Sequence, residues 1–105
     1  MDVQKLIATG KIRRTIILNG FKFELSTPPM SRLANLQTDN QFMNIAQFVD
    51  KIDDEDFTAV DAKPKLSEIL AQLQPGLMTK IAEACNAMTE EQNKAITGMF
   101  SEGKS

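Results

Sequence analysis

Asn19-Gly20 stands between two runs of strand-forming residues, 11–18 and 21–27, and nothing else in this 105-residue chain restricts its fold as tightly. Both central positions of a two-residue type I′ turn need positive φ, and Asn-Gly is the pair that accepts this most readily. Such a turn pairs Leu18 with Phe21, Ile16 with Phe23, Arg14 with Leu25 and Ile12 with Thr27. One face of the predicted hairpin then collects Ile12, Ile16, Leu18, Phe21, Phe23 and Leu25. The other carries Lys11, Arg13, Thr15, Ile17, Lys22, Glu24 and Ser26. Slipping by one residue would turn every side chain to the wrong face, so the pattern itself specifies the register. Arg14 is the one inward charge. It is expected to snorkel at the edge or to mark where the hairpin leaves the core.

Around the hairpin the apolar spacing is helical. Asp2 can cap a short helix over 2–9, with Gly10 as its stop. Pro28-Pro29 ends the second strand, because neither residue can donate to a ladder. Residues 31–37 are predicted to form a short helix with Met30, Leu33 and Leu36 inward. Thr38-Asp39-Asn40-Gln41 reads as a capping box opening a second helix, whose apolar face is Phe42, Ile45, Ala46, Val49 and Ile52. The acidic residues 53–56 then form a turn with a short helical piece carrying Phe57 and Val60. Pro64 suits the first turn of a third helix, with Leu66, Ile69, Leu70 and Leu73 at i, i+3, i+4 and i+7, broken by Pro75-Gly76. A fourth helix places Leu77, Met78, Ile81, Ala82, Cys85 and Met88 along one side. Thr89-Glu90-Glu91-Gln92 reads as a second capping box, opening a last helix with Ala95, Ile96, Met99 and Phe100. Gly98 weakens that helix by about 1 kcal/mol relative to Ala.

The expected architecture is therefore α+β. An N-terminal two-stranded antiparallel β-hairpin (11–27) precedes four or five short helices over 31–100, packed as one domain, with 101–105 a mobile tail. Two strands alone are marginal in water, so the hairpin must lie on the helices or pair with another chain.

Chemistry is narrowed by absence. With no His there is no His-based triad, His general base or usual zinc site. One Cys allows neither an internal disulfide nor a CxxC motif, which fits a reducing compartment. Cys85 falls on an apolar stripe and is expected to be a buried, inert side chain. The acidic stretch 50–56 is the only dense set of oxygen ligands. Read as a calcium loop from Asp50, it has Glu55 where Gly is needed and Asp61 where a bidentate Glu is needed, so the pattern fails. A solvated turn is the expectation there. The longest apolar run is Ile16-Ile17-Leu18, too short to span a membrane, and Met1-Asp2-Val3-Gln4 does not open like a secretory signal. No catalytic residue, metal or cofactor is expected, and the chain reads as a non-enzyme.

What remains is binding. Residues 1–37 carry six basic groups against Asp2 and Glu24, a net of +4, whereas residues 38–61 carry seven acidic groups against Lys51, a net of −6. Pairing within the molecule is the simpler expectation for that asymmetry. Arg13 and Lys22 share the outer hairpin face and are candidates for partner contact. Glu24 beside them, the absence of an exposed aromatic for stacking and a net charge of −2 all argue against nucleic acid. In the last helix Ile96, Met99 and Phe100 form an apolar end beside Gly98; packing on the protein's own core and docking into a partner are both open for them.

The stretch 11–25, Lys-Ile-Arg-Arg-Thr-Ile-Ile-Leu-Asn-Gly-Phe-Lys-Phe-Glu-Leu, followed by helices with a polar loop between them, resembles the small tail assembly chaperones of tailed bacteriophages. That resemblance covers most of the chain in layout and about fifteen residues in detail, and it transfers no residue role. It implies a soluble, non-enzymatic protein of the host bacterial cytoplasm that binds the tape-measure protein or another larger tail component during assembly. The alternatives are a small structural subunit retained in the virion (baseplate, tail or neck), and a small regulator acting on nucleic acid or a host enzyme through the basic hairpin. Self-association into a homo-oligomer stays open beside a larger tail protein as partner.

Overall fold

The computed structural model describes residues 1–33 and 40–101, the last three of these by backbone alone. It is an α+β arrangement with element order α1 (Val3–Ala8), β1 (Arg13–Leu18), β2 (Phe21–Ser26), α2 (Met30–Leu33), α3 (Gln41–Ala46), β3 (Val49–Ile52), β4 (Glu55–Asp56), α4 (Lys63–Ala71) and α5 (Pro75–Ser101). A short 3₁₀ turn, Val60–Ala62, leads into α4.

The hairpin forms in the expected register. Leu18 faces Phe21, Ile16 faces Phe23 and Arg14 faces Leu25, around Asn19 and Gly20 at φ 51° and 85°. Thr27 continues the ladder by donating its N–H to Ile12 O at 3.0 Å. Arg14 reaches Glu91 on α5 at 3.1 Å, so the inward charge ends in an ion pair at the edge of the sheet. Two side chains depart from the expected faces. Phe21 is 50% exposed because it lies at the hairpin tip, beyond the covering helices, and Ser26 is buried.

The expected two-stranded sheet is instead a four-stranded antiparallel one, in the order β1-β2-β3-β4. The predicted second helix stops at Ala46, and Val49–Ile52 turns into a strand alongside β2. The inner edge of β2 supplies the reason: its amides need partners, and Val49 and Ile52 are β-branched residues that sit well on a pleated surface. The acidic stretch is a turn, as expected, and its last two residues form the short strand β4; the short helical piece expected after it is the 3₁₀ turn that opens at Val60, with Phe57 before it in the core. Asp53 takes φ 52°, its N–H donates to Lys22 O, and its carboxylate accepts the Lys22 N–H, both at 2.8 Å.

Helix boundaries differ as well. Asn40 caps α3 by accepting the Met43 N–H at 3.0 Å; Thr38 and Asp39 lie outside the described residues. The helix expected over 31–37 is described over Met30–Leu33, where Met30 and Leu33 are exposed rather than inward, and Leu36 lies outside the described residues. The fourth and last helices are one continuous helix of 27 residues. Thr89 does not cap: its hydroxyl donates back to Cys85 O at 3.0 Å, a bond that the middle of a helix tolerates. Gln92 does not close a capping box either: its side chain reaches away from the helix to Thr27 and Gly10. At the N-terminus Asp2 caps α1 through Lys5 N at 3.1 Å, as expected.

One apolar cluster joins sheet and helices: Phe23 and Leu25 of β2, Val49, Phe57, Leu66 and Leu70 of α4, and Ile81, Cys85 and Met88 of α5. The base of the hairpin is fastened to this frame by polar contacts. Buried Thr27 accepts at Oγ1 from the Ile12 N–H at 3.0 Å and from Gln92 Nε2 at 3.1 Å, and Gln92 Nε2 also lies 3.2 Å from Gly10 O. Thr27→Val keeps the shape and removes the acceptor, leaving the Ile12 amide unpaired and Gln92 Nε2 with Gly10 O alone. It is expected to lower the unfolding free energy by about 1–3 kcal/mol in urea titration. In the double variant Thr27→Val, Gln92→Leu the loss should fall short of the sum of the single losses, since one bond is counted in both.

Candidate functional site

Four segments meet at the hairpin base and leave a groove of about 540 Å³ between them. Ile7 comes from α1, Lys11 and Arg13 from the start of the hairpin, Pro28 to Leu33 from the turn into α2, and Gln92 and Ile96 from α5. Local sequence explains each arrival. Gly10 turns the chain from α1 into β1 at φ 81°, a backbone conformation that side-chain-bearing residues rarely adopt, and it lies against Ile96 of α5. Pro28-Pro29 ends β2, and Pro29 O then accepts the N–H groups of Arg32 and Leu33 to start α2. The floor is apolar and open to solvent: Ile7 is 64% exposed and Met30 78%. Among the described residues, two cations and no carboxylate line it.

The candidate contact residues separate in space. Arg13 and Ile96 line this one groove. Lys22 lies at the other end of the hairpin, 3.8 Å from Glu24. The side chains of Met99 and Phe100 lie outside the described residues, on the turn of α5 that follows Ile96. Val3, Leu6 and Met1 on the exposed side of α1 extend the apolar surface beyond the groove.

At the opposite end a second depression, of about 450 Å³, holds Phe21, Ile52, Phe57 and Ile69 with Asp53, Asp54 and Glu55 around them. Among the described residues, three carboxylates and no cation line it. Among the described residues no cluster of His, Cys, Asp or Glu is arranged to hold a metal ion, and no helix is long and apolar enough to cross a membrane. Comparison with protein-family models, with curated proteins and with solved structures finds no match to the chain.

A buried lysine is the feature that sequence reasoning passed over. Lys63 is 2% exposed, and its ammonium donates to Val49 O at 2.7 Å. The bond sits at an irregularity: Glu24 faces Lys51 and Leu25 faces Val49, so Asp50 is an extra residue on β3, a β-bulge. Carbonyls freed there find other donors, Val49 O from Lys63 and Asp50 O from the Phe57 N–H at 2.8 Å. Arg32 bonds Thr58 O nearby, and Asp56 accepts from the Thr58 hydroxyl at 2.5 Å and its N–H at 2.7 Å. Those two bonds hold the Asp56 carboxyl below the usual carboxylate range. Burial, and then the Arg32 charge, lower the Lys63 ammonium to about 8, against the opposing pull of Asp50 and Asp56. Lys63 thus pins the bulge from inside. Nothing gives it a path to a substrate.

Its titration has a measurable consequence. The unfolded lysine titrates near 10.5 and the folded one near 8, so between these values the unfolded state binds more protons. Stability from this group is therefore full above pH 10.5 and is lost as pH falls toward 8. Cys85 acts in the opposite sense: burial raises its thiol from 9.0 to about 12, so stability falls as pH rises above 9. The urea midpoint of the wild type should rise between pH 8 and 9, then level off. Lys63→Met should lose the rise, and Cys85→Ala should extend it toward pH 10.5. A wild-type midpoint that stays flat from pH 8 to 9 would contradict the desolvated ammonium.

Proposed function

We propose that this chain is a non-catalytic assembly protein that holds an apolar segment of another protein in the groove at the hairpin base. The observation that supports this is the exposed apolar floor, Ile7, Met30, Leu33 and Ile96, framed by Lys11 and Arg13. Single exposed apolar residues are ordinary on a protein surface, whereas a contiguous group inside a concavity with a polar rim is the usual form of a docking site. The resemblance of residues 11–25 to phage tail assembly chaperones suggests the setting: the host cytoplasm during tail construction, with a larger tail component such as the tape-measure protein supplying the segment. The regulator reading is weaker, because Arg13 and Lys22 stand at opposite ends of the hairpin and Lys22 lies close to Glu24.

Co-expression with candidate tail proteins followed by pull-down tests the proposal. Ile7→Ser combined with Ile96→Ser removes apolar area worth about 1.5–3 kcal/mol per fully covered side chain. Capture is expected to fall about tenfold or more, while the thermal midpoint stays near that of the wild type because both residues are at the surface. Undiminished capture by the double variant would discard the groove as the docking site. Mass spectrometry of purified particles then separates an assembly factor, which leaves, from a virion subunit, which stays.

A further inference from the structure

We infer that the groove at the hairpin base accepts the acidic hairpin tip of a second copy of this chain, so that molecules associate head to tail. This rests on reading the groove as a protein-docking surface and names an occupant for it.

The two ends of the hairpin are complementary in kind. The base groove has an apolar floor and a rim of Lys11 and Arg13, with no carboxylate among the described residues that line it. The tip presents half-exposed Phe21 beside Asp53, Asp54 and Glu55, with no cation among the described residues of its depression and the one cation beside it, Lys22, 3.8 Å from Glu24. The ion pairs among the described residues are Arg14–Glu91, Lys22–Glu24 and Lys80–Glu83, and none of them joins the basic hairpin to the acidic turn. Asp53 spends its carboxylate on the Lys22 amide, but Asp54 and Glu55 point charge into solvent. A foreign partner would have to bring an acidic, apolar segment. A second copy already carries one.

The geometry also sets the type of assembly. Six strand residues separate base from tip, about 17–20 Å of backbone. The two surfaces therefore cannot meet within one molecule; where each groove takes the tip of the next copy the contact is heterologous and generates rings or open filaments, whereas a twofold pair would have to close both groove–tip contacts at once.

Sedimentation velocity of the purified chain across a concentration series tests this. Species larger than a dimer are expected at low salt, and raising salt from about 50 to about 500 mM should weaken association about tenfold or more. Ile96→Asp blocks the groove and Phe21→Asp blocks the tip; each variant alone should stay monomeric. Mixed in equal amounts they retain one intact groove and one intact tip, so the mixture should form 1:1 dimers and grow no further. If either variant loses cooperative melting, Arg13→Glu and Glu55→Lys replace them: each alone should associate less, and the two together in one chain should recover. A wild type that is monomeric throughout, or that stops at a dimer with both tip and groove blocked, overturns the inference. Monomers that still capture a tail protein through Ile7 and Ile96 would leave the proposed function standing while removing self-docking.

Discussion

A hairpin of two six-residue strands has an apolar face it cannot bury and an inner edge whose amides it cannot pair. The rest of this chain is organised by those two needs. Helices α4 and α5 cover the face, meeting Phe23 and Leu25 with Leu66, Leu70, Ile81 and Met88. Strand β3 pairs the edge of β2, and its bulge at Asp50 leaves a carbonyl that the chain satisfies by burying Lys63. An ionised side chain is an expensive donor to place in a core. Its retention here follows from position: Lys63 opens α4 directly beneath β3, where a four-carbon stem spans the gap and packs among apolar neighbours.

How much of this could be read beforehand depends on the range of the interaction concerned. The Asn19-Gly20 turn is a local demand on φ, and register follows from it without knowledge of anything else in the chain. Asp2 as a cap and Pro64 at the first turn of α4 are equally local. Strand β3 is not. Val49 and Ile52, three apart, continue the helical spacing of Phe42, Ile45 and Ala46, and only the partner edge at Leu25 and Phe23 decides between the two readings. The same holds for Thr89 to Gln92, whose capping-box letters are genuine but are outweighed by a 27-residue helix held at both ends of the sheet. Gln92 serves Thr27 and Gly10, 65 and 82 residues away, which no local rule reaches. Lys63 did leave a trace: with Leu66, Ser67 and Leu70 it makes an i, i+3, i+4, i+7 stripe one turn ahead of the purely apolar one, and all four are buried.

The groove is less legible than the fold because it belongs to no single element. Ile7, Arg13, Met30 and Ile96 are each unremarkable in their own segments, and they meet only because Gly10 and the Pro28-Pro29 pair turn the chain back on α5. Arg13 and Lys22 look equivalent in sequence, both cations on the outer hairpin face. The strand length sets them at opposite ends, so one rims the groove and the other stands beside the acidic turn.

Charge is where sequence and structure inform each other most. A basic block followed by an acidic block invites the view that the two neutralise one another once folded. Strand β3 does bring the acidic residues to β2, but it brings them to the tip, whereas Lys11 and Arg13 remain at the base. Among the described residues the ion pairs use Glu91, Glu24 and Glu83 instead of the acidic turn. Folding therefore converts an asymmetry along the chain into an asymmetry along the hairpin. A surface of that kind has an energetic reason to meet its complement: desolvated apolar floor gives affinity, and opposite rims give orientation and rate. With Phe21 exposed at one end and Ile7 and Ile96 at the other, both ingredients are present at both ends of the molecule, which is the physical ground for the proposed association.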